Sequence, residues 1–335
     1  MSENLYFKYP KLRKNVKIIE NEEFITINYH GNSLDIGPSD TINIFDIKNF
    51  INLLNGKNSV EDISSKSNCF TKEQVINYID ILDDYLLLEE GKEFQFKGKS
   101  GLNFILELED YYSSWQNFSN ETNLTKKILD KKASKNLLVG FAFEYYHVTR
   151  RCHECLTPAI AKSHGETRLK VFDFFIEEYR HDKLLIKSLT SLGFERSEIE
   201  DSMPLPYTQA IMNMLSKWAH TDILSFMAGI FIFEGSDYDG LAYKDALKEY
   251  SDLPEDFAKY QNTHGDINIE GDHGHVTRDF FMDIDYISEE DQRRVIKNIR
   301  ILNELHLRMH QNTIDYYDKE IVEIPRSLDK LVKIS

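Results

Sequence analysis

The pattern of the chain changes once, near Gly98-Lys99-Ser100-Gly101, and that change constrains the fold most. Before it, short alternating runs mix with helix signals. Residues 16–19, 24–30 and 33–36 read as strands, and His30-Gly31-Asn32-Ser33 supplies a turn. Helices follow over 41–54, 60–65 and 71–86, the last opened by Thr71 with Glu73-Gln74 just inside it. Residues 87–96 read as a small β-wing. Strands, three helices and a wing make an α+β domain of winged-helix type over residues 1–97. After Gly101 almost every segment has helical periodicity, which makes residues 98–335 an all-α bundle.

Charge narrows the choice of partners. The net charge is −16, and phosphate binding needs a basic surface. The third helix of the first domain carries Glu73, Asp80, Asp83 and Asp84 where a DNA-reading helix should be basic. Nucleic acid is therefore not expected as a partner. No apolar run reaches membrane-spanning length, and the polar N-terminus lacks the core of a signal peptide. Three cysteines, an odd and small number, fit a reducing cytoplasm. Two of them form Cys152-His153-Glu154-Cys155, but no second pair exists to complete a zinc site.

The chemistry-bearing residues lie in the helical part. The run 172–185, FDFFIEEYRHDKLL, places Glu178 and His181 three residues apart, on neighbouring positions of one expected helix over 167–192. Glu144 follows the apolar run 137–143, and Glu234 follows 226–233. A buried carboxylate needs a cation or hydrogen-bond donors, or else it takes up a proton. Arg150 or Arg151 could pair Glu144, and Glu234 could face water at a helix end. Asp266, Glu270 and His273 are spaced four and three apart, on one face of a helix expected over 266–282. Carboxylate-rich oxygen donors with two imidazoles suit iron or manganese better than structural zinc.

These residues carry two resemblances. IGPSDTINIFDIKNFINLLNGKNSVEDISSK, followed by a helix ending in LLLEE, resembles the PqqD-like domains. That resemblance implies recognition of the leader of a ribosomally made precursor peptide by residues 1–97, the leader adding a strand to a sheet edge. FAFEYYHVTRR, FIEEYRHDKLL and AGIFIFEG resemble the ligand helices of heme-oxygenase-like diiron oxidases, relatives of TenA and PqqC proteins.

The second resemblance implies a TenA-like helical bundle with two iron ions (or manganese) and O2 as co-substrate. Its ligands fall on Glu144, Glu178, His181, Glu234, Asp266, Glu270 and His273, with Glu178 bridging. Where the family has the first His of its last ligand helix, this chain has Asp266, so His264 or His275 could serve instead. Tyr145 and Tyr179 neighbour the ligands, as hydrogen-bond donors or as a radical relay. A non-heme diiron oxygenase or oxidase acting on a peptide is the reading that results. An external electron donor and a homodimer are left open. A metal-free TenA- or PqqC-like enzyme and a non-catalytic leader-binding scaffold are the alternatives.

Overall fold

The structure is a computed structural model. The structure describes residues 7–21, 23–29, 32–39, 42–67, 69–91, 98–116, 124–234, 247, 250, 253–270 and 273–328, excluding the side chains of 129 and 268–270. It divides into two compact units, residues 1–118 with 281–292, and residues 119–280 with 293–335.

The first unit is α+β. Strands β2 (Lys17–Glu20), β3 (Ile25–Tyr29) and β4 (Asn32–Ile36) form an antiparallel sheet in the order β2-β3-β4. Along β3, buried residues alternate with half-buried ones, as period two requires when one sheet face meets a core. That core takes Ile25, Ile27, Phe50, Ile63, Val75, Ile79 and Leu82 from the sheet and from helices α1 (Ile44–Leu53), α2 (Val60–Lys66) and α3 (Lys72–Asp84). Asn43, Ser59 and Thr71 each close a capping box at the start of these helices.

A short strand β1 (Pro10–Leu12) pairs with β5 (Leu88–Glu90). There Gly91 comes so close to Gly56 that a Cβ on it would sit 2.0 Å from the Gly56 Cα. Of the wing expected over 87–96, residues 92–97 lie outside the described residues.

The unit does not end at residue 97. After β6 (Gly98–Lys99), helix α4 (Gly101–Gln116) sends Leu106 into the same core. Its Glu109 also accepts a 3.0 Å bond from Arg13 Nη2, both side chains being almost fully buried. A buried ion pair ties the helix there, because either charge alone would be costly.

The second unit is all-α. It comprises α5 (Leu124–Leu129), α6 (Lys135–Lys162), α7 (Gly165–Glu178), α8 (Asp182–Thr190), α9 (Arg196–Glu200), α10 (Pro206–Thr221), α11 (Ile223–Glu234) and α12 (Glu255–Glu270). A 3-10 turn (His273–His275) and α13 (Val276–Met282) follow, then β7 (Ile287–Ser288) and the long α14 (Glu289–Tyr317). β7 pairs with β6 and α14 begins within the first unit; α14 joins the bundle from Arg293. Helix α6 is central and packs on α7, α8 and α10. At Gly140 the helix touches the Tyr317 ring so closely that a Cβ would lie 2.1 Å from it. No described helix is long and apolar enough to cross a membrane.

Two expected helices are cut differently. The helix expected over 167–192 breaks between Glu178 and His181, where Arg180 adopts φ +77°. Glu178 ends α7 and His181 precedes α8, so the pair sits at a corner and not on one continuous helix. The helix expected to start at Asp266 instead runs on from Glu255 straight through Gly265, and ends at Glu270. His273 is therefore on a 3-10 turn, not on a shared face with Asp266 and Glu270.

Candidate metal centre

The corner at Arg180 is what builds the site. Helix α7 stops at Glu178 and the chain turns back, bringing His181 Nδ1 to 3.3 Å from Glu178 Oε2. Both side chains are buried. From α12, His264 joins them, its ring centroid 5.0 Å from that of His181. From the 3-10 turn, His273 Nδ1 lies 3.3 Å from Glu178 Oε1 and 3.2 Å from Glu234 Oε2 at the end of α11. Ligand atoms of Glu178, His181 and His264 fall within 4.8 Å of one another, and so do those of Glu178, Glu234 and His273. Glu178 belongs to both groups and can offer one carboxylate oxygen to each.

The donor set fits divalent metal ions of the iron type. Glu178 with His181 and His264 is a two-histidine, one-carboxylate set, the composition typical of open non-heme iron(II) sites. The second group is one imidazole and two carboxylates. Unmet polar atoms point the same way. Glu178 Oε1, His181 Nδ1 and His264 Nε2 are buried and make no hydrogen bond. Each such orphan costs about 1–3 kcal/mol, and native structures rarely gather several in one place. A cation among them would satisfy the set.

Neighbouring groups fix the histidines. Tyr145 OH on α6 lies 3.2 Å from His264 Nδ1, which leaves Nε2 for a metal. His273 Nε2 lies 3.3 Å from Glu177 Oε2, a half-exposed carboxylate at its back. Phe174 meets the His273 ring edge-on at 5.2 Å.

The electrostatics reflect crowding. Burial pushes the Glu178 pKa up, but the neighbouring imidazoles, His181 first, outweigh it and hold it below the usual range. Burial lifts Glu234, which the His273 hydrogen bond only partly offsets. For His273, burial acts downward, yet the carboxylates of Glu234, Glu178 and Glu177 raise it to about 8. His264 falls to about 4, mainly through burial. Carboxylates and imidazoles that press on one another's protonation in this way mark functional sites.

Not every sequence candidate comes here. Glu144 is buried on α6, where both its oxygens are taken. Leu205 N–H donates to Oε2 at 2.9 Å and Oε1 at 3.2 Å, Thr208 Oγ1 to Oε2 at 2.5 Å, and Tyr317 OH to Oε1 at 2.9 Å. It joins α6 to α10 and α14 and is in neither group. The neighbouring Tyr145, about 100° round the helix, faces the histidines instead.

Asp266 is in neither group. The Glu270 side chain lies outside the described residues. Tyr179 is 51% exposed, with the Arg180 guanidinium 5.1 Å over its ring, so it faces outward. Cys152 and Cys155 are free thiols. Glu177 was not singled out in the sequence; adjacency to Glu178 was its only signal.

Comparison with known proteins agrees with this reading. No curated protein sequence matches the chain. Among solved structures, a domain of unknown function with a heme oxygenase-like fold from Shewanella denitrificans OS217 superposes with a TM-score of 0.52 at 20% identity. It covers 62% of this chain and 91% of its own. A TenA homologue from Pseudomonas syringae pv. tomato DC3000 gives 0.52 at 11% identity, covering 63% and 93%. At these identities the likeness establishes the heme-oxygenase-like fold of the bundle.

A family model described as iron-containing redox enzyme matches residues 139–306, half the chain and the stretch that holds all five grouped residues. By that match, this chain belongs to the family of iron-containing redox enzymes.

Proposed function

We propose that the bundle holds two iron ions and uses O2 to oxidise a ribosomally made peptide held by the first unit. The observation that carries the metal part is the sharing of Glu178 by two three-residue groups. Glu178, His181 and His264 would hold one ion, and Glu178, Glu234 and His273 the other. Bound there, a ferrous pair would supply electrons to O2 and so the oxidising power; an external donor would restore it.

The chain's own residues do the rest. Tyr145 holds the His264 ring so that Nε2 faces inward. Glu177 keeps the His273 proton on Nε2 when Nδ1 is given up as a donor. Phe174 shields His273 from water, which strengthens each electrostatic contact.

The peptide part rests on the first unit. Its strand β2 is a sheet edge, exposed along its whole length, and Ile18 and Ile19 are 43% and 49% exposed. An uncovered edge with apolar side chains is a template for strand addition. A winged-helix, PqqD-like domain would use it for a leader, raising the concentration of the modified segment near the bundle. A metal assay with oxygen uptake tests the first part: the iron-loaded chain should consume O2 faster with its peptide, and Ile19→Lys should abolish that stimulation while leaving iron content unchanged. An iron-loaded chain with no O2 uptake beyond free ferrous ion contradicts it.

A further inference from the structure

Helix α7 has two sides to cover, and the bundle covers one. Thr167, Val171, Phe174 and Glu178 recur at spacings of four, three and four, and all are buried. On the opposite side Leu169, Phe172, Ile176 and Tyr179 recur at three, four and three. Their exposures are 55%, 44%, 56% and 51%. A surface helix turns charged residues to its outer side; this one turns four large apolar residues outward. Phe175, half-buried, extends the patch: its ring lies 6.4 Å from that of Phe172 and 5.9 Å from that of Tyr179. Exposed aromatic residues gathered in this way mark an interaction surface.

The spacing selects the kind of partner. Apolar residues alternating at three and four are the seam of a coiled coil, whose natural partner is a second helix with the same repeat. The flanks of the seam select the partner itself. Arg168 borders it on one side, and Asp173 and Arg180 on the other, all three exposed. When two copies of α7 align in parallel, a flanking residue on one side of the seam faces the residue five positions further along in the other copy. Arg168 then faces the partner's Asp173, and the Phe175 ring faces the partner's Arg180. Two-fold symmetry makes each contact twice. An antiparallel alignment would instead set Asp173 against its own copy, like charge on like.

We infer that the outer side of α7 is a two-fold interface, at which the helix pairs in parallel with α7 of a second copy of this chain. The inference does not rest on the proposed function, since neither metal nor peptide takes part. The interface is small. With about 200 Å² to bury per side chain of this size, four half-exposed residues supply roughly 400 Å² per copy. A standard interface takes about 800 Å² from each partner, so the seam and its charged flanks make a weak dimer, with a dissociation constant of about 10–100 µM. Because the buried side of the same helix ends at Glu178, pairing would hold the two candidate metal centres back to back.

Sedimentation velocity on the full chain tests this over about 1–200 µM, the range that brackets the expected dissociation constant. The wild-type chain should pass from monomer to dimer. Ile176→Lys places an ammonium group in the seam and should leave a monomer throughout, whereas Ile176→Leu should still dimerise. Arg168→Asp and Asp173→Arg should each weaken association about fivefold or more, because each sets like charges together at two places, and the double variant should recover most of the loss. Circular dichroism confirms that each variant is folded.

A wild-type chain that stays monomeric at about 200 µM, well above the expected dissociation constant, overturns the inference and leaves the patch to a different partner. A dimer that persists in folded Ile176→Lys overturns it too, by placing the interface elsewhere. A double variant no tighter than the single ones overturns the parallel pairing.

Discussion

Tyr317→Phe isolates the role of Glu144. The substitution removes the hydroxyl that donates to Glu144 Oε1 at 2.9 Å and keeps the ring that packs on Gly140. No cavity opens. Leu205 N–H and Thr208 Oγ1 remain on the carboxylate, so the loss is one hydrogen bond to a charged group, about 1.5–3 kcal/mol. Burial already lifts the Glu144 pKa, and its donors pull it back; losing Tyr317 should lift it further.

Urea unfolding, followed through Trp218 in a Trp115→Phe background, reports on the bundle, since Trp218 lies within it and Trp115 in the other unit. With a slope of about 2–3 kcal/mol per molar, the midpoint should fall by roughly 0.5–1.5 M. Iron stoichiometry should stay at the wild-type value. An unchanged midpoint together with loss of iron would refute the reasoning and make Glu144 a ligand.

Further expectations concern other contacts. Tyr145→Phe frees His264 Nδ1 and should weaken metal binding about 10–100-fold by competition with a chelator, without changing the number of sites. Gly140→Ala drives a methyl group into the Tyr317 ring and should cost about 1–3 kcal/mol, read as a lower melting temperature. His147 is held at about 3, by burial first and then by Arg150, Arg326 and Arg151, against 6.5 unfolded. The unfolded chain therefore takes up its proton first as pH falls. The stabilisation is full above 6.5 and is lost toward 3, at about 1.4 kcal/mol per pH unit. In His147→Gln, the fall in stability between pH 6 and 4.5 should be shallower by about one proton.

Much of the site could be read along the chain, and the rest fails for local reasons. Glu178, His181, Glu234 and His273 are brought together by the structure; the first two are marked in sequence by their spacing, Glu234 by the apolar run before it, and His273 by its spacing from Glu270. Burial was legible at Glu144, but its partners were not. Its donors come from residues 61, 64 and 173 positions away, and no helical period reports those. Asp266 was chosen for its spacing from Glu270 and His273, on a helix expected to begin after Gly265. The helix passes through it, and His264 one position earlier faces the site. The Glu178–His181 spacing suggested a helix face, whereas Arg180 in a left-handed conformation makes a corner. Arginine carries no sequence signal for that conformation, which is set by what the two flanking helices bury. In the first unit the sheet and helices followed the alternation and capping residues closely. The inclusion of α4 depends on Arg13 and Glu109, 96 residues apart.

Metal stoichiometry in single variants tests the central claim, that Glu178 is shared between two sites. The wild-type chain reconstituted anaerobically with ferrous iron should bind two ions. His264→Ala and His273→Ala should each bind one, and Glu178→Ala none, with Glu144→Gln unchanged at two. A wild-type chain that binds no iron, or a Glu178→Ala chain that keeps both ions, would contradict it.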